Sequence, residues 1–182
     1  DRAINKGIGN LPGFRYENYL YEGYGPNGVA IMMEIMTDNK NRTFPEIKHI
    51  MTKNGGNLGE SGCVSWVFEK KGEILIDKTF IDEELFLELI LDLEIEDIDL
   101  DSSDYYSILI APDNFDKVSK YLEQKKIKIE GSISLLPNNT IEVSGSEVNQ
   151  LLKLLELLED HEDVQKVYSN FDINDEDLND IN

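Results

Sequence analysis

Four basic side chains lie close together in the first third of the sequence: Lys40, Arg42, Lys48 and Lys53. Two tyrosines, Tyr21 and Tyr24, precede them. Cations at that density can hold phosphates while aromatic rings stack on unpaired bases, so the six form a candidate contact site. The same residues suit a plainer role, with the lysines solvated and Arg42 pairing Asp38 or Glu46 to lock a loop. Both readings stand at this point. Asp38, Asn39 and Asn41 are expected to build that loop through side-chain to backbone bonds rather than to touch a partner.

Other residue patterns point to weaker chemistry. Gly23-Tyr24-Gly25-Pro26-Asn27-Gly28 matches the dinucleotide fingerprint letter by letter, yet a β-type run follows it instead of a helix. Pro26 with Gly25, Asn27 and Gly28 predicts a tight turn. Gly55, Gly56, Gly59 and Gly62 lack the Lys-Ser/Thr ending of a phosphate loop. They predict a helix stop and a turn into the next strand, or else a donor-rich surface loop able to meet RNA or ribosomal protein. Asp97, Asp99, Asp101 and Asp104 lack the glycine and terminal glutamate of a calcium loop and read as an acidic strand end. His49 and His161 are isolated from other metal ligands in sequence. Cys63 and Trp66 are expected in the core. No acid–base or nucleophilic constellation is visible, so no enzyme, no cofactor and no metal are expected.

The elements that must position these residues follow from periodicity. Tyr16–Tyr24 reads as an extended edge and Val29–Met36 as a buried strand with Val29, Ile31, Met33 and Ile35 on one face. A helix should begin at Thr43, which forms a capping box with Glu46 and places Pro45 in the first turn. Phe44, Ile47, Ile50 and Met51 form its apolar stripe. Val64–Phe68 is the next predicted strand. Then come a strand at Glu73–Ile76, a helix capped by Asp82, strands at Ile95–Leu100 and Tyr105–Ala111, a helix capped by Asp113, and a strand at Ser132–Leu136. That order is the split βαβ unit of ferredoxin-like domains. The remainder is a strand at Thr140–Val143, a helix capped by Ser146 with Val148, Leu151, Leu152, Leu155 and Leu158, and a strand at Val164–Phe171. It is too short to fold alone and is expected to complete the first sheet. The expected fold is α+β: a discontinuous α/β domain over 14–68 and 140–174, with a ferredoxin-like βαββαβ domain inserted at 69–139. Residues 1–13 read as a linker and 175–182 as a frayed acidic tail.

Charge divides the chain. Residues 1–71 carry nine Lys or Arg against eight Asp or Glu, while residues 72–182 carry eight against twenty-nine, and the whole has a net charge of −20. An acidic surface repels phosphate, so the second part is a poor nucleic-acid contact; it is either a solvated surface or a dock for a basic protein. Cys63 is the single cysteine, which rules out an internal disulfide and suits a reducing compartment or an organelle matrix. No apolar run has the length of a membrane span, and no membrane partner is expected.

The runs Tyr21–Gly28, Thr37–Thr43 and Lys53–Gly62, with the closing Val164–Phe171, resemble the YebC family, which includes the mitochondrial translational activator of cytochrome c oxidase subunit I. The resemblance implies a mixed α/β domain with a ferredoxin-like insertion, preceded by a basic helical domain for which residues 1–11 look like the junction. It also implies a non-enzymatic regulator of transcription or translation. The partners would be DNA, RNA or the ribosome, met mainly with help from the helical domain. The expected compartment is the cytoplasm of a bacterium, or the mitochondrial matrix or plastid of a eukaryote.

Overall fold

Two runs of β-forming residues flank Gly25-Pro26-Asn27-Gly28, and the chain folds back there. The structure, a computed structural model, describes residues 15–179, so the expected linker and the last residues of the tail lie outside the described residues. β1 (Glu17–Tyr24) and β2 (Ala30–Thr37) pair antiparallel, from Glu17 opposite Thr37 to Tyr24 opposite Ala30. Between them Pro26–Gly28 forms a 3-10 turn with Asn27 at φ 61°. The glycine motif thus opens a strand, and no helix N-terminus stands behind it to hold a pyrophosphate.

The first helix, α1 (Lys40–Lys53), begins ahead of the predicted Thr43. Its N-cap is Asn39, with no side-chain cap, and Pro45 lies inside the helix instead of in its first turn. The capping box fails because Thr43 and Glu46 are both drawn to distant partners, described below. The predicted C-terminus holds: Gly55 adopts φ 84° and the Gly56 N–H reaches the Met51 carbonyl at 2.8 Å, a Schellman closure.

β3 (Asn57–Leu58) then pairs with Gly23 and Tyr24. A Cβ on Gly23 would sit 2.3 Å from the Asn57 carbonyl oxygen, so only glycine fits. The strand predicted at Val64–Phe68 does not form. Ser65–Val67 is a 3-10 turn, because the Glu22 carboxylate accepts the N–H groups of Gly62, Val64 and Ser65, taking donors a ladder would need.

Glu69–Leu136 forms one compact unit and the chain on either side of it the other. The inserted unit runs β4 (Phe68–Asp77), α2 (Glu83–Ile90), β5 (Asp97–Asp99), β6 (Tyr105–Ile110), α3 (Phe115–Gln124) and β7 (Ile129–Pro137), with sheet order β5-β6-β4-β7. This is the ferredoxin-like arrangement. Ile74, Ile76, Ile108 and Ile110 pack against Phe86, Ile90, Val118 and Leu122. Asp82 caps α2 by accepting the Leu85 N–H at 2.9 Å. Asp113 caps nothing: it sits in a 3-10 turn, and Asn114 is the N-cap of α3. β5 is shorter than predicted because the Asp99 carboxylate accepts the Asp101 N–H and turns the chain out.

The returning segment comprises β8 (Ile141–Val143), α4 (Ser146–Asp160), β9 (Val164–Ser169), β10 (Phe171–Ile173) and α5 (Asp175–Asn179). β9 joins β2, giving the sheet order β3-β1-β2-β9. β8 does not complete that sheet; it pairs with β10 in a separate parallel ribbon. The predicted closing strand breaks at buried Asn170, whose side chain accepts the Ala30 N–H and donates to the Asn139 carbonyl. Gly145, not Ser146, is the N-cap of α4. The part of the tail that is described forms α5, where Asn174 Oδ1 accepts the Asp177 N–H. Val29, Ile31, Met33 and Ile35 line the core with Ile47 and Met51 of α1 and Val148, Leu151, Leu154, Leu155 and Leu158 of α4. Among the described residues no helix is long and apolar enough to cross a membrane.

Candidate nucleic-acid interface

β1 sends Tyr19 and Tyr21 to the helix side of its sheet, since residues two apart on a strand share a face. Their rings stack at 6.3 Å between centroids, and Phe44 of α1 meets Tyr21 edge-on at 5.6 Å. Lys40 Nζ lies 5.6 Å from the Tyr19 ring centroid, in cation–π range. With Asn41 and Pro45 these groups line an open cavity of about 390 Å³. Burial first, then the charge of Asp163, raises the pKa of Tyr21, so its ring stays neutral. At about 100° per residue, Lys40, Phe44 and Lys48 climb one stripe of α1 that spans about 80°.

Arg42 and Lys53 lie about 120° or more away on the same helix. The four cations therefore do not converge on one surface. Arg42 is held by Asp163 at 3.1 Å and Asp38 at 3.6 Å, the locking role that its position also allowed. Hydrogen bonding to Asp163, then its charge, raises the Arg42 pKa further. Thr43 Oγ1 donates to Asp163 Oδ2 at 2.6 Å and meets Thr37 Oγ1 at 2.8 Å, which in turn accepts the Asn39 N–H at 3.0 Å. The loop is thus built by threonines, whereas Asp38 serves Arg42 and Asn41 faces the cavity. Among the described residues, Lys40, Lys48 and Lys53 form no ion pair.

His161 is not isolated: its Nε2 lies 2.7 Å from Glu46 Oε2, and its Nδ1 accepts the Asp163 N–H at 3.1 Å. Glu46, His161 and Asp163 come close enough to suggest a metal site. The hydrogen bonding opposes that. Because Nδ1 is an acceptor, Nε2 carries the proton and donates to Glu46, leaving no lone pair for a cation. Asp163 Oδ2 is already shared by Arg42 and Thr43. The cluster fastens α1 to the start of β9.

The model of the second and third domains of TACO1/YebC proteins matches residues 16–171. The chain belongs to the TACO1/YebC family. A probable transcriptional regulatory protein of Syntrophus aciditrophicus is 52% identical over 178 residues, covering 97% of this chain and 71% of that protein. One of the same name from Dictyoglomus thermophilum is 49% identical with the same coverage. A conserved hypothetical protein of Aquifex aeolicus, solved by crystallography, shares 40% identity and a TM-score of 0.77 over 96% of this chain and 72% of its own.

In this TACO1/YebC chain Tyr24 stands apart from Tyr21. It projects to the other face of β1 and donates its hydroxyl to the Cys63 carbonyl at 3.1 Å. Trp66, expected in the core, is 70% exposed, with its Nε1 donating to the same carbonyl at 3.0 Å. Cys63 is half-buried, and burial first, then the Glu22 charge, raises its thiol pKa. Tyr19 and Phe44 were missed as site residues. The i, i+2 spacing of Tyr19 and Tyr21 on a predicted strand was the available signal. Phe44 gave none, because its place in the apolar stripe pointed to the core.

Proposed function

We propose that this TACO1/YebC chain is a non-enzymatic regulator of gene expression whose first unit meets single-stranded nucleic acid, as on a transcript or ribosomal RNA. The names carried by its relatives support regulation, and the α1–β1 groove supports the mode of contact. The observation that carries the reading is the Lys40 ammonium over a stacked tyrosine pair in an open cavity. Stacked rings accept the faces of unpaired bases, and the Lys40–Lys48 stripe neutralises the adjoining phosphates. A duplex keeps its bases inside and would gain only the phosphate contacts. A larger cavity of about 770 Å³ on the same unit is a poorer candidate, since Glu34 lines it. Cys63 supports the non-enzymatic reading, because a raised thiol pKa suppresses the thiolate.

Fluorescence anisotropy with a single-stranded RNA and a DNA duplex at matched salt tests this. The RNA should bind more tightly, and Tyr19→Ala should weaken it by about 1–3 kcal/mol, the worth of one stacked base. Equal affinity for the duplex, or an unchanged Tyr19→Ala variant, contradicts the reading. Co-sedimentation with ribosomes then separates a ribosomal from a free RNA target.

A further inference from the structure

The helices of the ferredoxin-like unit cover one face of its sheet, and strand register fixes what the other face presents. Glu73 of β4 stands opposite Leu109 of β6, and Leu109 opposite Asp97 of β5. Two residues along, the same face shows Leu75, Ser107 and Asp99, and then Asp77 and Tyr105. Glu130 of β7 and Phe80 gather with Leu75, Asp77 and Tyr105 around a small depression, with Lys128 at the same place. Leu75, Leu109 and Tyr105 are half-buried, while Asp97, Asp99 and Glu130 are exposed. Residues 79–116, which supply β5 and β6, hold thirteen Asp or Glu and no Lys or Arg.

We infer that this face docks a lysine- or arginine-rich amphipathic segment of a partner protein. An apolar strip of Leu75, Leu109 and Tyr105 runs between carboxylates of β4 on one side and β5 on the other. That pattern complements a segment alternating aliphatic and cationic side chains. The carboxylates are not consumed internally: Glu73 accepts only the Ser107 hydroxyl at 3.0 Å among the described residues, and Asp97 and Asp99 accept local N–H groups. The Asp77 carboxyl is held below its ordinary pKa by the Thr79 hydroxyl and N–H, so it stays charged. Nucleic acid is the wrong occupant. Sheets of this kind that bind RNA offer several stacking rings, whereas this one offers Tyr105 among five carboxylates that repel phosphate. The inference concerns a different surface from the α1–β1 groove and stands or falls without it.

The probe is a short fluorescein-labelled peptide of alternating lysine and leucine, titrated by anisotropy with the whole chain at physiological salt. Asp97→Lys with Asp99→Lys, both at exposed positions, should weaken binding about tenfold or more. Glu84→Lys with Glu88→Lys makes the same charge change on the exposed side of α2 and should weaken it about threefold or less. Leu109→Ser should weaken it without altering net charge. Equal losses for the two charge pairs would mean attraction to net charge alone and would overturn the inference. So would no binding by the parent chain, or self-association with no peptide bound.

Discussion

Glu22 is 4% exposed, and its two carboxylate oxygens accept three backbone N–H groups, from Gly62 at 2.5 Å, Ser65 at 2.7 Å and Val64 at 3.1 Å. Glu22→Ala leaves those donors unsatisfied beside a cavity and should cost about 2–4 kcal/mol. Trp66 is the only tryptophan and lies in the clamped loop, so its fluorescence during urea unfolding reads the effect. An unshifted midpoint would show that the clamp is dispensable. Tyr168 makes a pH prediction. Burial, then its hydrogen bond to Glu34 at 2.9 Å, pushes its pKa up to about 12. A free tyrosine titrates near 10, so between about pH 10 and 12 the folded chain keeps a proton that the unfolded chain has lost. Stability from this group is complete below that window and falls as pH rises through it. Unfolding midpoints across the window should drop more steeply for the parent than for Tyr168→Phe; parallel curves contradict the assignment. Little of this was legible beforehand. Asp163 lies 121 residues from Arg42 and His161 lies 115 from Glu46, and local spacing says nothing about such pairs.

At the scale of elements, α1 has two working sides: Arg42, Thr43 and Glu46 tie it to Asp163 and His161, while Lys40 and Phe44 stay open beside the β1 tyrosines and exposed Lys48 continues their stripe. Thr43→Val removes one hydrogen-bond partner each from buried Asp163 and Thr37 and should cost about 1–3 kcal/mol in denaturant unfolding. Thr43→Ser keeps the hydroxyl and should cost clearly less; equal losses would assign the effect to packing. Leu154→Ala in α4 should cost about 2–5 kcal/mol, against about 0.5 or less for Leu85→Ala, which is 54% exposed. The reverse order would mean that the cores are misassigned. Strong periodicity made β2, α4 and the ferredoxin-like order readable, since burial of Ile31, Met33 or Leu151 follows from pattern alone. Caps were read worse. Thr43, Asp113 and Ser146 carry cap-forming side chains, but a tertiary partner took Thr43, and a 3-10 turn and Gly145 occupy the other two starts. The strand predicted at Val64–Phe68 failed for a similar reason: Glu22, a residue far upstream, claims its donors.

Across the whole molecule, the two units present surfaces of different chemistry. The two units carry equal net charge, nine Lys or Arg against nineteen Asp or Glu in the first and eight against eighteen in the second. They place it differently: the first sets unpaired lysines beside aromatic rings, and the second sets carboxylates around a half-apolar sheet face. Membership of the TACO1/YebC family, whose relatives are named probable transcriptional regulatory proteins, fits a regulator. The central claim is that Lys40 and Lys48, out of all the exposed lysines, meet the phosphates. The direct measurement is the salt dependence of single-stranded RNA binding for Lys40→Gln with Lys48→Gln, set against Lys117→Gln with Lys120→Gln in the inserted unit. The first pair should lower the slope of log affinity against log salt by roughly 0.7 per lysine, and the second should leave it unchanged. Equal slopes for both pairs, or a change confined to the second, would contradict the account.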